Sequence, residues 1–87
     1  MKPYFVYIVE CSDGTLYTGI TTEITRRLKE HNGVLAGGAK YTSARRPVKL
    51  VAQSHPMENR SVASKLEYQV KKEKKVTKVA FLEAFRT

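Results

Sequence analysis

The segment Lys40-Tyr41-Thr42-Ser43-Ala44-Arg45-Arg46-Pro47 mixes cations, hydroxyls and an aromatic ring. Hydroxyl and backbone donors beside lysine and arginine are what phosphate oxygens require, and a tyrosine ring can pack against a sugar or a base. A solvated basic loop explains the same composition, so Lys40, Arg45 and Arg46 stand as candidate phosphate contacts. The run Lys71-Lys72-Glu73-Lys74-Lys75 is a second cationic stretch. It suits the negative end of a helix dipole and enlarges the positive surface at the same time.

The elements that must position such groups begin with a hairpin. Phe5-Val6-Tyr7-Ile8-Val9 and Leu16-Tyr17-Thr18-Gly19-Ile20 are rich in β-branched and aromatic residues, and Ser12-Asp13-Gly14 between them signals a turn. A loop of Ser12 to Gly14, with Gly14 in the left-handed position, pairs Val9 with Tyr17 and Tyr7 with Gly19. Tyr7 and Tyr17 then share a face, and Gly19 leaves space beside the Tyr7 ring. Packing alone explains two tyrosines on a sheet. Next, Thr21-Thr22-Glu23 offers N-cap candidates, and a helix is expected from about Ile24 to His31, stopped by Asn32-Gly33. Ile24 and Leu28 form its buried stripe. Arg27 and His31 lie one turn apart along an edge of that stripe, while Arg26 points to the solvated side. A pair between Arg27 and Glu23 would be the plain structural use of this arginine.

Val34 to Lys40, with Gly37-Gly38, reads as an irregular loop or short turn. A third strand is expected over Val48 to Ser54, with Val48, Leu50 and Ala52 on one apolar face. His55-Pro56 closes it, and the longest helix follows from about Asn59 to Lys72, burying Val62, Ala63, Leu66 and Val70. Glu67 sits at the border of that stripe, one turn after Ala63. Lys71 and Arg60 are available as surface partners for it. Thr77 can cap a last short helix that offers Val79, Phe81, Leu82 and Phe85 for packing.

Eighty-seven residues suffice for one domain with a modest core, expected to span 1–87. Sixteen Lys and Arg against eight Asp and Glu give a formal charge of +8. That excess attracts polyanions, nucleic acid first among them, although an acidic membrane surface or a ribosome would fit too. No apolar run approaches a membrane span and nothing resembles a signal peptide, so a cytoplasmic, non-membrane protein is expected. Cys11 is the only cysteine, which excludes an internal disulfide and a cysteine-rich zinc site.

Taken in order, Tyr7, Tyr17-Thr18-Gly19, Arg27, His31, Tyr41 and Glu67 form a series that resembles the GIY-YIG nuclease superfamily. That class includes homing endonucleases, nucleotide-excision repair incision domains and structure-specific junction or flap endonucleases. The likeness covers nearly the whole chain and is nearest to small stand-alone bacterial proteins. Leu16-Tyr17-Thr18-Gly19-Ile20-Thr21 and Arg26-Arg27-Leu28-Lys29-Glu30-His31-Asn32-Gly33 are especially similar to the junction-resolving branch. Two departures are visible. The first motif reads Phe5-Val6-Tyr7 without its glycine, and no asparagine follows Glu67.

The resemblance implies an α+β fold, a small three-stranded antiparallel sheet flanked by helices, and metal-dependent hydrolysis of a phosphodiester. It implies Tyr7 as general base, with Tyr17 as alternative base or water-orienting partner. Arg27 would neutralise developing charge, and Glu67 would anchor one Mg²⁺ or Mn²⁺ held weakly without substrate. His31 would bond a tyrosine hydroxyl or the phosphate, Tyr41 would contact phosphate, and Gly19 would serve structure. Lys40, Arg45, Arg46, Lys71, Lys72, Lys74 and Lys75 are the implied backbone contacts to DNA, without sequence reading. The leading expectation is therefore an endonuclease for branched, flapped or damaged DNA. A non-catalytic nucleic-acid binding module and a nuclease subunit that needs a protein partner are its rivals, and a monomer is expected in preference to an oligomer.

Overall fold

Phe5–Glu10 (β1) lies between Leu16–Thr21 (β2) and Lys49–Gln53 (β3) in an antiparallel sheet of order β2-β1-β3. This computed structural model describes residues 2–86. Helices flank the sheet, so the α+β architecture agrees with the sequence reading. The hairpin register is also the one expected: Tyr7 opposes Gly19 and Val9 opposes Tyr17. Gly14, at φ 83°, makes the turn possible, and the Asp13 carboxylate stiffens it by accepting from the Thr15 N–H and hydroxyl.

Each sheet face has its own core. Val6, Ile8 and Ala52 pack with Met57 against Ala63, Leu66 and Val70 of α3 (Arg60–Lys72) and Leu82 of α4 (Lys75–Glu83). On the other face, Tyr7, Val9, Cys11 and Val48 are covered by Ile24 and Leu28 of α1 (Ile24–His31), with Leu50 beside them. Burying each large apolar side chain contributes roughly 1.5–3 kcal/mol. The face under α1 is the one that carries the paired phenols.

Strand β3 departs from the expected alternation. Ile8 opposes Ala52 while Val9 opposes Leu50, so the register shifts between Ile8 and Val9. One extra residue reverses the parity of side chains on the bulged strand. Val48 and Leu50 therefore join the tyrosine face, whereas Ala52 joins the core under α3 and α4. The strand is also shorter by one residue at each end than the span expected.

Helix α1 has the expected span. Glu23 precedes it without a side-chain cap, and Thr21 Oγ1 instead accepts the Glu23 N–H at 3.1 Å. At its far end Gly33 N–H donates to Glu30 O, and the Asn32 side chain bonds both N–H and C=O of Val48 at 2.7 and 3.0 Å. That latch ties the end of α1 to the start of β3. Lys40–Ser43 (α2) is a single helical turn that starts where the stretch expected as an irregular loop or short turn ends, in the segment for which no helix was expected. Asn59 caps α3 by accepting the Val62 N–H, but Val62 itself is 42% exposed and does not join the buried stripe. Adjacent helical residues point about 100° apart, and the core lies on the side of Ala63, Leu66 and Val70. Only Glu73 and Lys74 separate α3 from α4, so α4 starts at Lys75 and Thr77 sits within its first turn rather than capping it. Among the described residues no helix is long and apolar enough to cross a membrane.

Candidate active site

The centre of the site is a phenol held over a glycine. Tyr7 stands on the middle strand, 2% exposed, with its ring lying across Gly19 of β2. A methyl group placed on Gly19 would come within 2.6 Å of the Tyr7 hydroxyl oxygen and 2.8 Å of ring carbon Cζ. The expected space at Gly19 is thus filled by the part of Tyr7 that could do chemistry. Tyr17, half-buried on the same face, stacks on Tyr41 of α2 with ring centroids 5.9 Å apart and meets the His31 ring edge-on at 5.2 Å.

His31 closes α1 fully buried, and both of its ring nitrogens are engaged. Nε2 lies 2.7 Å from the Tyr7 hydroxyl and Nδ1 lies 2.8 Å from Thr42 Oγ1. The tautomer follows from counting protons. Thr42 has a single hydroxyl proton and donates it to Ala39 O at 3.0 Å, so it accepts from Nδ1–H. Nε2 is then the bare nitrogen, and Tyr7 donates to it. Burial first, then the Arg27 charge, push the His31 pKa down to about 4; Glu30 opposes them and Arg46 adds a smaller push in the same direction as Arg27. A neutral imidazole is the state this geometry needs. Burial likewise drives Tyr7 up to about 12, although Arg27 beside it acts in the opposite sense.

Arg27 reaches this centre from the preceding turn of α1. Its Nη1 donates to Glu30 Oε1 at 2.7 Å and to Gly37 O at 2.8 Å, which fixes the guanidinium plane. The pairing expected with Glu23 is not formed; the carboxylate used is Glu30, one turn later and on the side of the loop that follows α1. Burial works against the charge on Arg27, but its bonds to Glu30 and Tyr7 outweigh that and hold its pKa above the ordinary value. Glu67 approaches from α3, half-buried, close enough for its charge to act on Tyr7. Lys71 pairs with it at 3.4 Å, and among the described residues Arg60 does not.

Tyr7, Tyr17, Arg27, His31 and Tyr41 are therefore gathered around one face of the hairpin, with Glu67 at its margin. The cations named from sequence are dispersed. Arg45 is anchored to the turn through Asp13 at 3.1 Å and lies 3.9 Å over the Tyr41 ring, and Arg46 Nε donates to His31 O at 2.7 Å. These two arginines support the site from behind. Lys72 lies over the Tyr68 ring, while Lys40, Lys71, Lys74 and Lys75 are exposed. Thr42 and Glu30 were missed. The spacing of Glu30 from Arg26 and Arg27 could have revealed it, whereas nothing local marks Thr42.

Among the described residues no three His, Cys, Asp or Glu side chains are grouped to hold an ion. Glu67 is a single half-buried carboxylate whose charge is felt at the Tyr7 phenol. Such hard oxygen donors suit an ion that keeps most of its coordination for water and substrate, and do not suit a tightly resident one.

Comparison with known proteins bears on the family and the fold. A family profile described as the GIY-YIG catalytic domain matches residues 3–80. A UPF0213 protein of Desulfotalea psychrophila is 60% identical over 78% of this chain, and the match spans 60% of that relative's length. A UPF0213 protein of Staphylococcus aureus is 51% identical over 82% of this chain and 83% of its own. Among solved structures, a solution structure of a protein from E. faecalis is similar with a TM-score of 0.63 and 39% identity, covering 98% of this chain and 88% of that one. The solution structure of a UPF0213 protein from Bacillus halodurans has a TM-score of 0.54 and 40% identity, over 93% and 83% of the two chains.

Proposed function

Because the chain belongs to the GIY-YIG catalytic-domain family, a nuclease family, we propose that it is a divalent-metal-dependent DNA endonuclease acting on structured or damaged DNA. The observation that carries this reading is the hydrogen bond from Tyr7 to a neutral, fully buried His31 with Arg27 alongside.

Hydrolysis needs a proton removed from water, charge neutralised on phosphorus, and help for the departing oxygen. Tyr7 cannot rest as a phenolate here. Burial disfavours the charged form of both groups, raising the phenol and lowering the imidazole, so the resting proton stays on Tyr7 and not on His31. The proton must therefore move only as water attacks: the phenol oxygen takes the water proton while its own passes to His31 Nε2. The Nδ1–H bond to Thr42 keeps Nε2 free for that transfer. Arg27, fixed by Glu30 and Gly37, presents its remaining N–H groups to the phosphate, where a guanidinium fork matches two oxygens. Tyr17 and Tyr41, stacked, wall the site and orient the strand or the water. Glu67 would hold Mg²⁺ or Mn²⁺, which supplies Lewis-acid stabilisation of the phosphate and leaving oxygen when bound.

The test is cleavage of labelled hairpin, flap, four-way and duplex DNA with Mg²⁺, Mn²⁺ or chelator, using wild type, Tyr7→Phe and Glu67→Ala. Both substitutions are expected to lower cleavage at least a hundredfold with binding retained. Cleavage that persists in chelator or in Glu67→Ala overturns the metal role. Binding without cleavage of any substrate by wild type points instead to a binding module or to a subunit lacking its partner.

A further inference from the structure

A cavity of about 310 Å³ opens beside Arg27, between the end of β2, helix α1 and the first residue of α3. Its walls are largely polar. Arg26, Arg27 and Arg60 supply three guanidiniums, Glu30 one carboxylate, and Thr22 and the Tyr4 ring complete the rim. Glu30 is already engaged by Arg27 at 2.7 Å and Arg26 at 3.4 Å. Arg60 makes no ion pair among the described residues. Cations therefore outnumber the one anion, and that anion serves to hold two of them side by side.

This excess is not an extension of the lysine run. Lys71 lies eleven residues beyond Arg60 on α3, roughly 16 Å along the helix, so the hollow and the lysines are separate electropositive regions. A concave polar wall focuses the field of its charges. Guanidiniums converging on one hollow match a tetrahedral oxyanion better than a carboxylate or a neutral ligand. Arg27 also belongs to the catalytic face, so a group in the hollow would be adjacent to the one being cleaved.

Resting on the nuclease reading, we propose that this hollow is a second phosphate subsite, occupied by the backbone phosphate that flanks the scissile one on the bound strand. Arg27 bridges the two phosphates, Arg26 and Arg60 close on the outer one, and Glu30 keeps Arg26 and Arg27 aligned. A terminal phosphate at a nick or flap end has the same chemistry, and the experiment separates the two sources.

Three arms suffice, on wild type, Arg60→Ala and Arg60→Lys, each checked by thermal melting. Inorganic phosphate titrated against the arginine Nε–H NMR signals is expected to shift Arg26, Arg27 and Arg60 saturably, with the shifts weakened at least fivefold in Arg60→Ala and largely restored in Arg60→Lys. Next, oligonucleotides carrying one neutral methylphosphonate at each position in turn are bound to a Tyr7→Phe background. One flanking position should lose about tenfold in affinity, and adding Arg60→Ala should abolish that penalty. Finally, matched ends with and without a terminal phosphate are compared; a preference that Arg60→Ala removes assigns the hollow to strand ends instead of internal phosphates and overturns the internal assignment. Phosphate shifts confined to the lysines, or a methylphosphonate penalty unchanged by Arg60→Ala, overturn the subsite. Phosphate seated in the hollow with no DNA bound at all defeats the nuclease reading while leaving a phosphate site in place.

Discussion

Thr42 has one hydroxyl proton, and Ala39 O receives it; everything upstream of that bond is thereby given a direction. Thr42→Val removes the acceptor for Nδ1–H, so the His31 proton is free to occupy Nε2, where it blocks transfer from Tyr7. Cleavage should fall on the order of a hundredfold, within what a positioned proton acceptor contributes. The ring ¹⁵N shifts of His31 should change together with it, and Thr42→Ser should restore both. Unchanged ring shifts in the valine variant would contradict the assignment. The same residues set how stability depends on pH. His31 titrates near 6.5 when unfolded but only near 4 in the folded chain, so between these values the unfolded chain binds a proton that the folded chain does not. Stability is fully present above about pH 6.5 and declines toward pH 4, by about 3 kcal/mol at most. Tyr7 acts at the other limit: its folded pKa is raised to about 12 from 10, so its contribution is complete below pH 10 and is lost as pH climbs toward 12. Urea midpoints measured from pH 4 to 11 check both limbs, and His31→Gln should flatten the acid one.

At the level of elements, the hairpin offers a comparison between two glycines. Gly14 has φ 83° with nothing within 4 Å of an added Cβ, whereas Gly19 has Tyr7 atoms at 2.6 and 2.8 Å. Gly14→Ala should cost about 1–2 kcal/mol of stability through backbone strain and leave catalysis of the folded fraction intact. Gly19→Ala should cost about 1–3 kcal/mol through overpacking and also displace the phenol, so that turnover falls much further than the folded fraction does. Melting curves beside single-turnover cleavage distinguish them. That hairpin was readable from its own residues because turn chemistry and strand period are local, and the same holds for the spans of α1 and α3, whereas the capping role of Asn59 was not picked out. The bulge opposite Ile8 and Val9 was not, because it reflects how β3 fits a neighbour some forty residues away in sequence. The Asn32 latch on Val48, the bond from His31 to Thr42 across a loop, and the pairing of Arg60 with the Arg26 and Arg27 hollow are likewise products of tertiary proximity. Family likeness supplied Tyr7, Arg27 and Glu67 as a set, but it did not supply the partners that orient them.

For the molecule as a whole, a formal charge of +8 has its effect through the cations left free after internal pairing. Arg45 is committed to Asp13 and Lys71 to Glu67, while Lys74 and Lys75 are exposed. Binding of DNA should weaken steeply with salt, with a log–log slope near −0.7 to −0.9 for each phosphate neutralised. Lys74→Glu with Lys75→Glu should make that slope shallower by about one to two, as read by fluorescence anisotropy across a salt series. A slope near zero for the wild type would exclude backbone contacts as the basis of binding. The position of β1 carries one more implication. With a partner along each edge, the backbone at Tyr7 has no frayed end through which to loosen, so its amide should exchange with deuterium only when the entire domain opens. The phenol proposed as general base is thereby built into the last part of the molecule to come apart, and any substitution that shortens the lifetime of the native state should shorten the lifetime of the ordered phenol by the same factor.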